Sequence, residues 1–143
     1  MRFSTTLAGL VALASTALAG NAIVQNNCQE DVYLTITRAD QSSTQQRLAG
    51  NGGRYSEPVS GNGNSFGLTK NADYFSASTP KLIWGFSDSP PTVYYTVSNV
   101  NGDPFAGEGF NLAATDAGCG VVTGYDGATH TCADSNDFTL TTC

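Results

Sequence analysis

Past residue 20 the apolar residues come in short runs of period two, and this alternation confines the chain to sheet structure. The clearest run is Thr92–Val100 (TVYYTVSNV), with Val93, Tyr95 and Val97 on one side and Tyr94, Thr96 and Ser98 on the other. Such alternation marks a strand with one buried face. Pro80–Ser87 (PKLIWGFS) places Leu82, Trp84 and Phe86 on a common face, and Ser65–Thr69 (SFGLT) alternates as well. Helical periodicity is never sustained, and Asn71–Ser76 is the one place where a single helical turn is expected. Turn residues divide the runs: Gly50-Asn51-Gly52-Gly53, Gly61-Asn62-Gly63-Asn64, Pro90-Pro91 and Asn101-Gly102-Asp103-Pro104. Glycine and asparagine supply the positive φ of tight turns, while proline excludes helix. Ala39–Ser65 reads as polar and turn-rich around one short edge-like strand at Arg54–Val59, and Asp137–Cys143 reads as the last strand. Strands and turns in this order predict an all-β fold, an antiparallel sandwich or barrel.

Ala22–Thr37 (AIVQNNCQEDVYLTIT) looks like the opening hairpin. Val32, Leu34 and Ile36 point one way and Tyr33, Thr35 and Thr37 the other. The polar centre between the two apolar runs has the turn chemistry of Asn and Asp, with Cys28 at the expected bend. Cys28 is the first cysteine and Cys143 the last residue, and we expect the two to be joined.

Residues 1–19 read as a secretory leader: a basic Arg2, an apolar Leu7–Ala14 and a small-x-small Ala17-Leu18-Ala19. The apolar run is shorter than the ~20 residues a spanning helix needs. Residues 20–143 are then expected to form a single domain. Without Arg2 the basic residues are Arg38, Arg47, Arg54, Lys70 and Lys81, against twelve acidic ones. That balance disfavours nucleic acid and anionic lipid as partners. No second apolar stretch suits a bilayer, so a secreted, soluble, monomeric protein is expected. Four cysteines, Cys28, Cys119, Cys132 and Cys143, permit three pairings in an oxidising compartment. The Cys119–Cys132 loop is the easiest to close. Zinc on Cys119, His130 and Cys132 is disfavoured, because the paired ligand spacing is missing.

Ile23-Val24-Gln25-Asn26-Asn27-Cys28, followed by Val32-Tyr33, resembles the opening of thaumatin-like proteins. Tyr94-Tyr95-Thr96-Val97-Ser98-Asn99-Val100 through Gly109-Phe110-Asn111-Leu112 resembles their Tyr-x-Val-Ser strand and the Gly-Phe-Asn after it. By size and cysteine number the chain is most similar to the fungal yeast-phase-specific, antigenic thaumatin-like secreted proteins. The resemblance implies a thaumatin-like β-sandwich whose first cysteine bonds one near the C-terminus, in agreement with Cys28–Cys143. It also implies a place in or near the cell wall and β-glucan as a candidate ligand. Plant thaumatin-like proteins carry many more cysteines and an extra disulfide-rich domain, which this length cannot hold, and their acidic cleft depends partly on that region. The resemblance therefore carries the fold further than any activity.

A glycoside hydrolase needs two carboxylates about 5–5.5 Å or about 6.5–9.5 Å apart. Glu57, Asp73, Asp88, Asp103 and Glu108 are the candidates, and acids in turns are ordinarily just solvated. A serine triad would have to use His130, which lies in a Gly/Thr-rich loop with no nucleophile elbow. Asn99, Asn101 and Asp103 begin like a calcium loop, but Pro104 stands where glycine is required. No catalytic residue, metal or cofactor is therefore assigned. Trp84 is expected in the core. Tyr33 and Tyr94 have the outward phase and, with Glu57, Asp73 and Asp88 nearby, would suit a polysaccharide groove. The reading is a secreted, non-enzymatic, wall-associated or released protein that binds β-glucan. The alternatives are an effector, antimicrobial or inhibitor acting on another organism, and a weak β-glucanase.

Overall fold

The computed structural model describes residues 19–143. The expected leader therefore lies outside the described residues, except for Ala19. Among the described residues eleven strands form two sheets. Five of them, β4 (Gly53–Pro58), β1 (Asn21–Asn26), β11 (Phe138–Thr142), β8 (Phe110–Ala114) and β9 (Val121–Val122), lie side by side in that order. The other sheet runs β10 (His130–Ala133), β7 (Thr92–Val100), β6 (Lys81–Ser89), β5 (Asn64–Thr69), β2 (Val32–Thr37), β3 (Ser43–Leu48). The expected all-β sandwich is present. Asn71–Ser76 forms turns rather than a helical turn.

The alternation read from the sequence sets the inner faces. Val93, Tyr95 and Val97 of β7, Leu82, Trp84 and Phe86 of β6, and Leu34 and Ile36 of β2 are buried against Val24, Leu112, Phe138 and Leu140 of the opposing sheet. Trp84 is 1% exposed. It meets Phe66 edge-on with ring centroids 5.3 Å apart, and Phe66 makes a similar contact with Phe86 at 5.2 Å. Each such side chain contributes about 1.5–3 kcal/mol by leaving water.

The opening stretch departs from the expected hairpin. β1 and β2 lie in opposite sheets, and Asn27–Asp31 arches across the end of the sandwich between them. The arch brings Val24 into one core with Val32 and Leu34 of the opposing sheet. Asn26 holds the arch open. It is fully buried, and its amide donates to the carbonyls of Glu30 (2.9 Å), Leu48 (3.0 Å) and Ala49 (3.1 Å) while its oxygen accepts from the Cys28 N–H at 3.0 Å. The Ala49–Gly52 turn rests on the arch, with the Asn51 N–H bonded to the Cys28 carbonyl at 2.7 Å. A Cβ at Gly50 would stand 2.1 Å from the Gln29 carbonyl oxygen, so only glycine allows this approach.

One ladder is parallel. β1 runs alongside β11 with Ala22 opposite Phe138 and Asn26 opposite Thr142, while β4 flanks β1 antiparallel. Parallel strands end on the same side of a sheet, which brings Cys28 and Cys143, just past the two ends, to a Cα separation of 4.9 Å, joined as a disulfide. The second disulfide, Cys119–Cys132, ties a single 3₁₀ turn at Ala117–Cys119 to β10 and so links the two sheets along one side.

Candidate functional site

The sequence candidates lie on different elements: Glu57 on β4, Asp88 on β6 and Asp73 in the loop before it, Tyr33 on β2 and Tyr94 on β7, with Asp103 bonded to Tyr125 and Glu108 paired with Lys70. Glu57 lies on the inner face of β4 and is occupied by structure. Arg38, just past β2, donates to both of its carboxylate oxygens, at 2.7 and 2.5 Å, and the Tyr55 hydroxyl donates to it at 2.6 Å. This clamp closes the side of the sandwich opposite the Cys119–Cys132 bridge. Burial alone would raise the Glu57 carboxyl, but the hydrogen bonds from Arg38 and Tyr55 outweigh it and hold the group below its ordinary value. Burial, with Glu57 adjacent, pushes the Tyr55 hydroxyl up to about 12.

A carboxyl depressed by folding stabilises the protein above its unfolded pKa and stops doing so as pH falls through the folded value. Glu57→Gln is therefore expected to cost about 2 kcal/mol at neutral pH, the scale of charged hydrogen bonds. Urea titrations of both proteins should show that gap shrinking below the ordinary glutamate value of 4.5. A gap that stays constant in acid would contradict the clamp.

Asp88 lies on β6 opposite Val93, and Asp73 lies in the loop that precedes β6. Asp88 is near the C-terminal end of β6, whereas Asp73 adjoins Tyr74, which folds back over Gly67 in the row of Ile83. Asp88 has a buried carboxylate oxygen with no hydrogen-bond partner. Burial and the nearby Asp134 raise its pKa, so the ionised form costs more folded than unfolded. Asp88→Asn should stabilise the protein by about 1 kcal/mol at neutral pH, with the gain disappearing in acid. A lower urea midpoint for the variant at neutral pH would contradict this.

The two tyrosines share the outer face of the six-stranded sheet but do not meet. Tyr33 lies opposite Arg47 and Thr69, in the row of Lys81, whereas Tyr94 lies opposite Ser87. Six residues of β6 separate those rows, about 20 Å. Tyr94 does border a depression of about 340 Å³, 46% of its own surface being exposed. Gly85 forms the floor, since the outer face of β6 has no side chain between Ile83 and Ser87; Thr96 and Ser87 supply hydroxyls. None of the residues lining the depression is charged. The Ser87 oxygen accepts from the Gly63 N–H at 2.9 Å, which leaves its proton free to donate.

On the outer face of β5, Tyr74 folds down over Gly67, where a Cβ would come within 2.3 Å of the tyrosine ring. Its neighbour Phe75 is left 75% exposed. The loop that carries both has no periodic pattern, and the signal for them in the sequence is a glycine at an outward position of β5. His130 bonds Asp126 at 3.0 Å and stacks on Tyr95, with no serine beside it among its hydrogen-bond partners. Among the described residues, the one grouping with metal-ligand spacing is Cys28, Glu108 and Cys143, and both of its sulfurs are in the disulfide. No helix among the described residues is long and apolar enough to cross a membrane.

A two-sheet sandwich tied by Cys28–Cys143 and Cys119–Cys132 defines a small thaumatin-like protein. The family model for the Blastomyces yeast-phase-specific protein, Bys1, matches residues 9–143, and the chain belongs to that family. It is 31% identical, over 160 aligned positions, to an antigenic thaumatin-like protein of Arthroderma benhamiae, covering 96% of this chain and 80% of that one. It is also similar to the crystal structure of the protein elicitor MoHrip2 from Magnaporthe oryzae, with a TM-score of 0.69 and 27% identity over 87% of this chain and 99% of that one.

Proposed function

We propose that this protein is exported, oxidised outside the cell, and acts there as a non-catalytic, elicitor-like recognition protein rather than as a hydrolase. The likeness to the elicitor MoHrip2 along most of the chain carries this reading. The commitment of the carboxylates supports it: Glu57 is held by Arg38, Glu108 by Lys70 and Asp103 by the Tyr125 hydroxyl. The test is infiltration of purified protein into leaf tissue, with the oxidative burst and defence-gene induction as readouts. Intact protein should provoke both, and protein reduced and alkylated at all four cysteines should not. An intact protein that leaves every plant tested silent would overturn the reading.

The Tyr94 trough favours a second activity, weak adhesion to a neutral wall polysaccharide such as β-glucan. An exposed tyrosine offers a stacking face to a sugar ring, and Ser87 and Thr96 offer hydroxyls beside a floor left open by Gly85. Retention on insoluble β-glucan should be lost in Tyr94→Ala and unchanged in Tyr33→Ala. Failure of the natural protein to be retained, or retention by Tyr94→Ala, would contradict it.

A further inference from the structure

β3 is an edge strand with little to guard it. It ends the six-stranded sheet, and five of its six residues, Ser43 to Arg47, are exposed on both faces. The reason lies in the opposing sheet. Tyr55 and Glu57 of β4 face Phe66 and Arg38, so β3 overhangs with nothing across from Thr44 and Gln46. Exposed edges are normally blunted by proline, charge, bulges or shortness. Among the described residues the other edges follow that rule: β9 has two residues, β10 has four, and β4 ends in Pro58 and carries Arg54 and Glu57. β3 has no proline or glycine, and its one charge, Arg47, is paired with Asp31 at 2.5 Å.

The register shows which backbone groups are free. The Arg38 N–H bonds the Ser42 carbonyl at 3.0 Å, which makes that facing pair a hydrogen-bonded one. Hydrogen-bonded and non-bonded pairs alternate along an antiparallel ladder. Thr44, Gln46 and Leu48 therefore turn their backbone groups toward β2, and Ser43, Gln45 and Arg47 turn theirs to solvent.

We infer that β3 pairs antiparallel with β3 of a second copy, about a two-fold axis at Gln45. That register sets Gln45 opposite Gln45, Thr44 opposite Gln46 and Ser43 opposite Arg47, so no like charges face each other. Gln45 already donates one amide proton to the Thr35 hydroxyl at 3.1 Å, and its second proton and its oxygen suit a reciprocal bond with its counterpart. Charge favours the same place. The chain is acidic overall, yet at this edge the charges are paired, Arg47 with Asp31 and Arg38 with Glu57, so repulsion between copies is small there. One short ladder falls below the roughly 1,000 Å² of a stable interface, so the dimer is weak and concentration-dependent.

Sedimentation equilibrium from micromolar to millimolar protein tests this. The natural chain should rise from monomer mass toward twice that mass. Gln45→Pro removes an outward N–H, which an edge strand tolerates, together with the side-chain bond to Thr35, and should stay monomeric with an unchanged circular dichroism spectrum. Gln45→Lys places like charges on the axis and should also stay monomeric, while an equimolar mixture of Gln45→Lys and Gln45→Glu should associate again. This second pair decides the matter if the proline variant fails to fold. A natural chain that remains monomeric throughout, or a Gln45→Lys protein that associates as well as the natural one, would overturn the inference.

Discussion

Replacing Cys28 and Cys143 together by serine should lower the unfolding free energy by about 5 kcal/mol, against about 3 for the Cys119/Cys132 pair. The difference comes from loop length. The first bridge spans 115 residues and the second 13, and the entropy withheld from the unfolded chain grows with the logarithm of the span. The folded state already presents the first pair at no cost in geometry, because the parallel β1–β11 ladder ends both strands on the same side. Urea unfolding of the two double variants at one pH is the measurement. Equal losses, or a larger loss for Cys119/Cys132, would mean that the β1–β11 ends are not held as described.

The second large effect is expected at Asn26. Asn26→Asp turns a buried amide that donates to three carbonyls into a carboxylate facing the same three oxygens. Both amide protons are lost, a carboxylate oxygen is set against the carbonyls, and the buried charge keeps only the Cys28 N–H and a long contact to the Thr142 hydroxyl, changes that cost about 1–3 kcal/mol or more each. A loss of at least about 4 kcal/mol is expected, enough to unfold much of a marginally stable domain at physiological temperature. Asn26→Ala, without the charge, should be milder. A thermal scan in which the aspartate variant melts within a degree or two of the natural protein would remove Asn26 from its role as the plug of the arch.

The sequence carried the inner faces of β6 and β7 in full, because these central strands bury one face and expose the other. β3 was hidden for the opposite reason: with both faces in water it has no apolar alternation to read, and Ser43–Leu48 passed as loop. The arch was illegible for a different cause. Period two is the same whether two successive strands pair with each other or face each other across a core, so Ala22–Thr37 fits a hairpin as well as the arch it forms. One clue was present. Asn26 falls in phase with Ala22 and Val24, and a polar residue in a buried phase implies local carbonyls that need a donor.

The site residues were less legible than the strands. Tyr94 was placed outward correctly by its phase, but the same phase told nothing about its separation from Tyr33, which depends on strand order and register. Glu57 looked like an acid near a turn. Its inward phase beside Tyr55 was readable, and its partner Arg38 was not, since the ion pair bridges two sheets whose stacking local pattern does not encode. Gly85 contributes by having no side chain, which becomes visible only once Thr96 and Tyr94 are set beside it.

The crossing of the chain from β1 to the opposite sheet, with its tail returned alongside its beginning, is the feature on which the remaining description rests. Nuclear Overhauser contacts between backbone protons test it without any substitution. Ile23, Val24 and Gln25 should show them to Thr139, Leu140 and Thr141 in a parallel pattern, and Asn21–Asn26 should show none to Val32–Thr37. A ladder of contacts between those first two strands would contradict the account.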